Sequence, residues 1–86
     1  MVTYFCYLLR CADGTLYCGW TIDLKNRVRI HQIGKGSRYT RGRLPVSLVY
    51  YEKFKSRSEA QKREMEIKRK SKTDKEKLIK DESKHV

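Results

Sequence analysis

YLLRCADGTLYCGWT, residues 7–21, reads as a β-hairpin. Runs of strand-forming side chains stand on either side of Asp13-Gly14, and an Asp-Gly step between two such runs is a strong short-range hairpin signal. The first run reaches back to Thr3. TYFCYLLR, residues 3–10, is almost continuously apolar or aromatic, as suits a strand covered on both faces and so central to its sheet. LYCGW, residues 16–20, then folds back antiparallel. A plain hairpin requires neither Tyr7 nor Tyr17 on its neighbouring strands, nor Gly19. The glycine marks a bulge or the close approach of another group to the backbone.

Beyond Thr21 the period changes. In TIDLKNRVRIHQIGKG, residues 21–36, Asp23 can cap a helix that begins at Leu24, Leu24 and Val28 share a face, and Gly34 is placed to end it. Residues 34–45, GKGSRYTRGRLP, read as a basic loop. VSLVYYEKF, residues 46–54, sets Val46, Leu48 and Tyr50 against Ser47, Val49 and Tyr51, the period-two pattern of a third strand. Two capping boxes, Ser56-x-x-Glu59 and Thr73-x-x-Glu76, open two further helices, the second carrying Leu78 and Ile79. The order β-β-α-β-α-α predicts an α+β fold: a three-stranded antiparallel sheet, strand 1 central, with helices packed around it. Residues 1–80 form one domain in this reading and 81–86 a flexible tail.

Composition narrows the partners. A chain of 86 residues buries little more than half of its unfolded surface and cannot divide its core between two units. Lys and Arg total 21 against 10 Asp and Glu, a formal charge of +11, and this excess costs self-repulsion unless a polyanion answers it. Nucleic acid is the leading candidate. A membrane is disfavoured, because no segment approaches the ~18 apolar residues of a spanning helix and no signal peptide opens the chain. Cys6, Cys11 and Cys18 form no CxxC pair or matching histidine cluster, and they read as reduced packing residues. Trp20 is assigned to the core or the edge of the cleft, the core favoured on its size.

One acid breaks the helical pattern. Ala60, Glu64 and Ile67 fall at i, i+4 and i+7, the stripe a helix turns toward its core, while Lys62, Arg63, Glu66 and Arg69 occupy the faces a solvated helix gives to charge. Burying a lone carboxylate is costly unless it is paired or holds a metal. From position alone, a structural ion pair and a metal-ligand role weigh about equally. Arg27 and His31, at i and i+4, flank the Leu24/Val28 face of the first helix; by themselves they read more readily as a solvated or phosphate-contacting arginine and an ordinary helix-end histidine. Convergence changes the balance. Tyr7 and Tyr17 on adjacent strands share one face of the sheet. If both helices pack there, two phenols, a guanidinium, an imidazole and a carboxylate surround one hollow, which are the parts a phosphodiester hydrolase needs.

These residues resemble the GIY-YIG nuclease domain, in its short standalone bacterial form, from about Tyr4 to about Ile79. The first motif reads Phe5-Cys6-Tyr7 and the second Tyr17-Cys18-Gly19, so both tyrosines and the final glycine match, while Phe5, Cys6 and Cys18 replace the name-giving residues. Asp23-Leu24 leading to Arg27 and His31, and Glu64 after the third strand, complete the match in order. The resemblance implies that Tyr7 and Tyr17 are the paired tyrosines, Arg27 the phosphate-binding arginine, His31 an auxiliary catalytic residue and Glu64 the single metal ligand.

The activity so implied is metal-assisted hydrolysis of DNA phosphodiesters. One carboxylate suits Mg²⁺ or Mn²⁺, a single ion weakly bound without substrate. Tyr7 is the expected general base; a phenol titrates near ~10, so nearby cations are expected to lower it. Lys35, Arg38, Arg41 and Arg43 of the loop are expected to contact phosphates, Tyr39 to stack on a base or pack, and Gly19 to admit the DNA backbone. Branched or damaged DNA falls within the expected substrates, and a partner protein could supply specificity. A cytoplasmic bacterial monomer, within reach of the nucleoid, is the expected setting. The alternative is a non-catalytic nucleic-acid-binding module using the same basic surface.

Overall fold

The computed structural model of the protein describes residues 2–81. Its sheet has the order β2-β1-β3, with β1 (Tyr4–Arg10) between β2 (Leu16–Thr21) and β3 (Ser47–Phe54), and both pairings are antiparallel. Strand 1 is central, as its unbroken apolar run requires. Cys6, Tyr7, Leu8 and Leu9 are consecutive and all buried, so both faces of the strand are covered. The chain reverses between β1 and β2 through residues 11–15, where Cys11 N–H donates to the Thr15 carbonyl at 2.8 Å and the Asp13 carboxylate accepts from Thr15 N–H. Gly14 turns the corner at φ 84°, a left-handed conformation that a side chain would disfavour.

Helix α1 (Leu24–Gln32) begins where Asp23 accepts from Asn26 N–H at 3.2 Å, and the chain leaves it through Gly34 at φ 82°. The basic loop is not structureless. Ser37 caps a single turn, α2 (Arg38–Arg41), by accepting from Thr40 N–H. Helix α3 (Arg57–Lys68) starts at the Ser56/Glu59 box, where the two side chains lie 3.1 Å apart. Helix α4 (Lys72–Asp81) starts earlier than the Thr73 box predicts, because Ser71 Oγ accepts from Asp74 N–H and supplies the cap instead. Asp81 therefore belongs to α4, and the rest of the expected tail lies outside the described residues.

The helices divide between the two faces of the sheet. On one, Ile67 of α3 and Ile79 of α4 pack on Cys6, Leu8, Cys18 and Tyr50. On the other, Leu24 and Val28 of α1 join Tyr7, Leu9, Cys11 and Val46. The arrangement with both functional helices on the Tyr7 face is thus corrected: α1 lies on that face and α3 behind it. Strand 3 also departs from strict alternation. Leu8 pairs with Tyr50 but Leu9 pairs with Leu48, so Val49 is an extra residue, and the bulge moves Tyr50 to the face opposite Leu48. All three cysteines are buried free thiols, as packing residues should be. Trp20 is not core. At the edge strand it is half-buried, near the Tyr4 ring and 5.7 Å from the Arg57 guanidinium carbon.

Candidate active site

The Tyr7 face carries a cluster built from three elements. Tyr7 points out of the central strand toward α1, and its hydroxyl lies 3.0 Å from His31 Nε2. Tyr7 pairs with Gly19, and a Cβ there would stand 2.6 Å from the Tyr7 hydroxyl oxygen. The close approach implied by Gly19 is therefore made by the protein's own phenol, which crosses the neighbouring strand where no side chain stands. No bulge occurs in β2. Tyr17, two residues earlier on the same face, sets its ring 6.4 Å from that of Tyr7 and 5.1 Å from the His31 imidazole. Arg27 lies one turn before His31 on α1, close enough to act on both.

Electrostatics in this cluster run against one expectation. Burial pushes the Tyr7 phenol above its ordinary value, and neighbouring Tyr17 pushes in the same direction. Arg27 opposes them but does not prevail. The expected lowering by nearby cations is thus outweighed by desolvation: Tyr7 is 1% exposed, and a phenolate there would lose nearly all of its hydration. His31 shifts downward, through burial first and the Arg27 charge second, so its imidazole is neutral at pH 7.

An aromatic shelf runs outward from the cluster. The Tyr39 ring lies 5.9 Å from Tyr17, and the Arg43 guanidinium carbon lies 3.9 Å from the Tyr39 ring centroid. Arg43 also pairs with Asp13 at 3.1 Å and donates to the Tyr39 carbonyl, so it braces the loop. Tyr39 packs on Tyr17 while staying 37% exposed. Lys35, Arg38 and Arg41 are exposed around it, and among the described residues none of the three makes an ion pair.

Glu64 stands apart from this cluster. It lies on α3, behind the sheet, where its carbonyl accepts from Cys18 Sγ at 3.9 Å. Its side chain is 19% exposed, so it is turned inward as the stripe predicts, and its carboxylate pairs with Lys68 at 3.5 Å. Among the described residues no hydrogen bond or ion pair joins it to Tyr7, Tyr17 or Arg27. The geometry nevertheless leaves a route between them. Tyr17 and Cys18 are consecutive residues of the edge strand β2, so the tyrosine cluster and α3, which carries Glu64, lie against its opposite faces.

Glu64 is not the only acid that faces inward. Glu52 of β3, 16% exposed, accepts from Arg63 Nε and Nη2 at 3.0 Å and from the Tyr50 hydroxyl. Arg63, read in the sequence as a solvated charge, is thus half-buried in a structural network. The bulge at Val49 hides this partner, because it breaks the alternation that assigns β3 side chains to faces. Ser37 and Thr40, which hold the far side of His31, also escape the sequence reading. The Ser37 cap was the one local signal available.

Comparison with known proteins identifies the scaffold. A family model described as the GIY-YIG catalytic domain matches residues 3–82. The chain belongs to the GIY-YIG family. Among its relatives, a UPF0213 protein of Natronomonas pharaonis is 50% identical over 80 residues, covering 93% of this chain and 94% of that protein. A UPF0213 protein of Clostridium perfringens is 47% identical over 79 residues, covering 92% and 85%. The solution structure of a UPF0213 protein from Bacillus halodurans superposes with a TM-score of 0.62 at 40% identity, over 95% of this chain and 87% of that one. The three-stranded sheet with helices on both sides is therefore the GIY-YIG fold, and the five motif residues stand in it on β1, β2, α1 and α3. Among the described residues no helix is long and apolar enough to cross a membrane.

Proposed function

We propose that the protein is a metal-dependent endonuclease that hydrolyses DNA phosphodiester bonds across the edge of β2. The observation that carries this reading is the 3.0 Å contact between the Tyr7 hydroxyl and a neutral, buried His31, with Tyr17 and Arg27 beside it. A phenol raised by burial is a poor base alone. His31 remedies this by accepting the Tyr7 proton at Nε2. The water oxygen then bonds to phosphorus as the bond to the leaving sugar oxygen breaks, the water's proton passes to the Tyr7 oxygen, and the leaving oxygen takes up a proton from solvent as His31 releases the one it gained. Arg27 braces the phosphoryl oxygens, and Tyr17, half-buried, guides the water in.

The donor set bears on the metal this reading calls for. Among the described residues no group of three or more His, Cys, Asp or Glu side chains is arranged to hold an ion. Glu64, one inward carboxylate already sharing its charge with Lys68, suits Mg²⁺ or Mn²⁺ in a shell completed by water and substrate phosphate. Glu64 would hold the ion, which supplies Lewis-acid stabilisation of charge on the leaving oxygen. Phosphates would reach the site along Lys35, Arg38 and Arg41, with the +11 charge drawing DNA in regardless of sequence. The protein acts as a monomer in this reading, and an added partner protein would supply specificity.

A second reading, a DNA-binding module without turnover, is favoured by two observations. Tyr7 is 1% exposed and Glu64 is engaged with Lys68, so both would have to be uncovered for catalysis. Incubation with plasmid, single-stranded and branched DNA in Mg²⁺ or Mn²⁺ separates the two. Nicking that needs the metal and falls by about 10²–10⁴-fold in Tyr7→Phe and Glu64→Ala supports the enzyme. Equal binding by all three proteins without nicking supports the module.

A further inference from the structure

The Tyr7 contact accounts for one imidazole nitrogen of His31; the other has a partner of its own. Nδ1 lies 2.8 Å from Thr40 Oγ1, which lies 3.0 Å from Ser37 Oγ and 3.4 Å from the Ser37 carbonyl. Thr40 is fully buried, and Gly36 packs so closely on the imidazole that a Cβ there would overlap it. We propose that Thr40 is a positioning residue for His31: with Ser37 it fixes the Nδ1–H tautomer, leaving Nε2 to accept the Tyr7 proton.

The protons can be followed along the chain of contacts. The Tyr7 hydroxyl is buried, and among the described residues its one hydrogen-bond partner is His31 Nε2. The Tyr7 proton is therefore directed to that nitrogen. A neutral imidazole carries one proton, which must therefore sit on Nδ1 and point at Thr40 Oγ1. The Thr40 hydroxyl passes its own proton to Ser37, whose carbonyl has a second lone pair beside the one that accepts from Arg41 N–H. The opposite tautomer would set His31 Nε2–H against the Tyr7 oxygen and leave the phenol proton with no acceptor among the groups that contact it. Solvent cannot stand in, because Tyr7 is buried. Ser37, Thr40 and the short turn α2 thus form a clamp, and Gly36 is the space into which the ring fits.

The part of this proposal that concerns the Tyr7 proton rests on the nuclease reading; the tautomer does not. Long-range ¹⁵N–¹H correlation spectra of the full chain near neutral pH report which imidazole nitrogen bears hydrogen, with His85 told apart through a His85→Ala spectrum. Wild type is expected to show Nδ1 protonated at His31. Thr40→Val should give a mixture of tautomers with backbone spectra otherwise folded, and Thr40→Ser should restore the wild-type pattern. In the nicking assay Thr40→Val should lower kcat about 10–100-fold with little change in KM, as loss of a histidine's orienting partner does at other sites. A wild-type His31 protonated at Nε2 overturns the proposal, even if Thr40→Val does not fold, and so does a Thr40→Val spectrum that keeps the wild-type tautomer. An Nδ1–H wild type that loses this tautomer in Thr40→Val but never nicks DNA upholds the clamp and refutes the nuclease reading.

Discussion

Replacing Gly19 with alanine perturbs the packing that brings Tyr7 to His31. The added Cβ would stand 2.6 Å from the Tyr7 hydroxyl oxygen, 2.8 Å from Cζ and 3.2 Å from Cε2, whereas unstrained contacts lie at about 3.5–4.0 Å. The ring cannot swing aside freely, because it is buried in the central strand and its hydroxyl is held by His31. Overpacking of this kind costs about 1–3 kcal/mol. A gain opposes it. Gly19 is not in the left-handed region, so alanine there limits the unfolded chain and returns roughly 0.5–1 kcal/mol. Two contacts below 3.0 Å put this clash in the upper part of that range, about 2–3 kcal/mol, so the balance is a loss of about 1–2.5 kcal/mol, which in a domain of this size lowers Tm by roughly 4–20 °C. Circular dichroism melts of wild type, Gly19→Ala, Tyr7→Phe and the double variant measure it. Without its bond to His31 the ring can shift, so Gly19→Ala should cost about 0.5–1 kcal/mol less in the Tyr7→Phe background. The reasoning is refuted if Gly19→Ala melts with wild type, or if its cost is the same in both backgrounds.

Stability should fall as pH drops from about 6.5 toward the lowered His31 value, because folding disfavours the charged imidazole through burial first and the Arg27 charge second. Between that value and about 6.5 the unfolded chain binds a proton that the folded chain does not, so stability rises with pH across this window and is flat below it from this source; Tm against pH, beside net proton uptake on unfolding, measures the slope. Glu76 acts at lower pH, since its bidentate pair with Arg10 holds its carboxyl below the usual range and its contribution is lost only as pH falls through that depressed value. Arg63→Ala should cost about 1.5–3 kcal/mol by leaving Glu52 without its cation, with Arg63→Lys recovering only part because it lacks the planar fork; a urea-unfolding loss below about 0.5 kcal/mol would count against the network. For DNA binding, log affinity should fall linearly with log salt, and Arg38→Ala and Arg41→Ala should each make the slope shallower by about 0.9. A slope unchanged by either substitution would remove those residues from the phosphate path.

The residue pattern determined the strands, the longer helices and their order, but not the single turn α2. Asp13-Gly14 fixed the hairpin, the continuous run in β1 made that strand central, Asp23 and Ser56 started helices where the chain starts them, and Gly19 announced a close approach that the Tyr7 phenol fills. These are local effects, written in neighbouring residues. Which face of the sheet each helix covers is not local, and it separated Glu64 from the tyrosines by the thickness of β2. Nor is the sign of the Tyr7 shift: counting cations favours a phenolate, but the loss of hydration on burial outweighs Arg27 and reverses it. Thr40 and Ser37 belong to the same class. Their types and spacing look like an ordinary turn, and only the packing of α2 against the end of α1 brings a hydroxyl to His31 Nδ1. Propensity and capping act over a few residues of chain, whereas desolvation and hydrogen-bond partnership depend on what the folded chain places within a few ångströms.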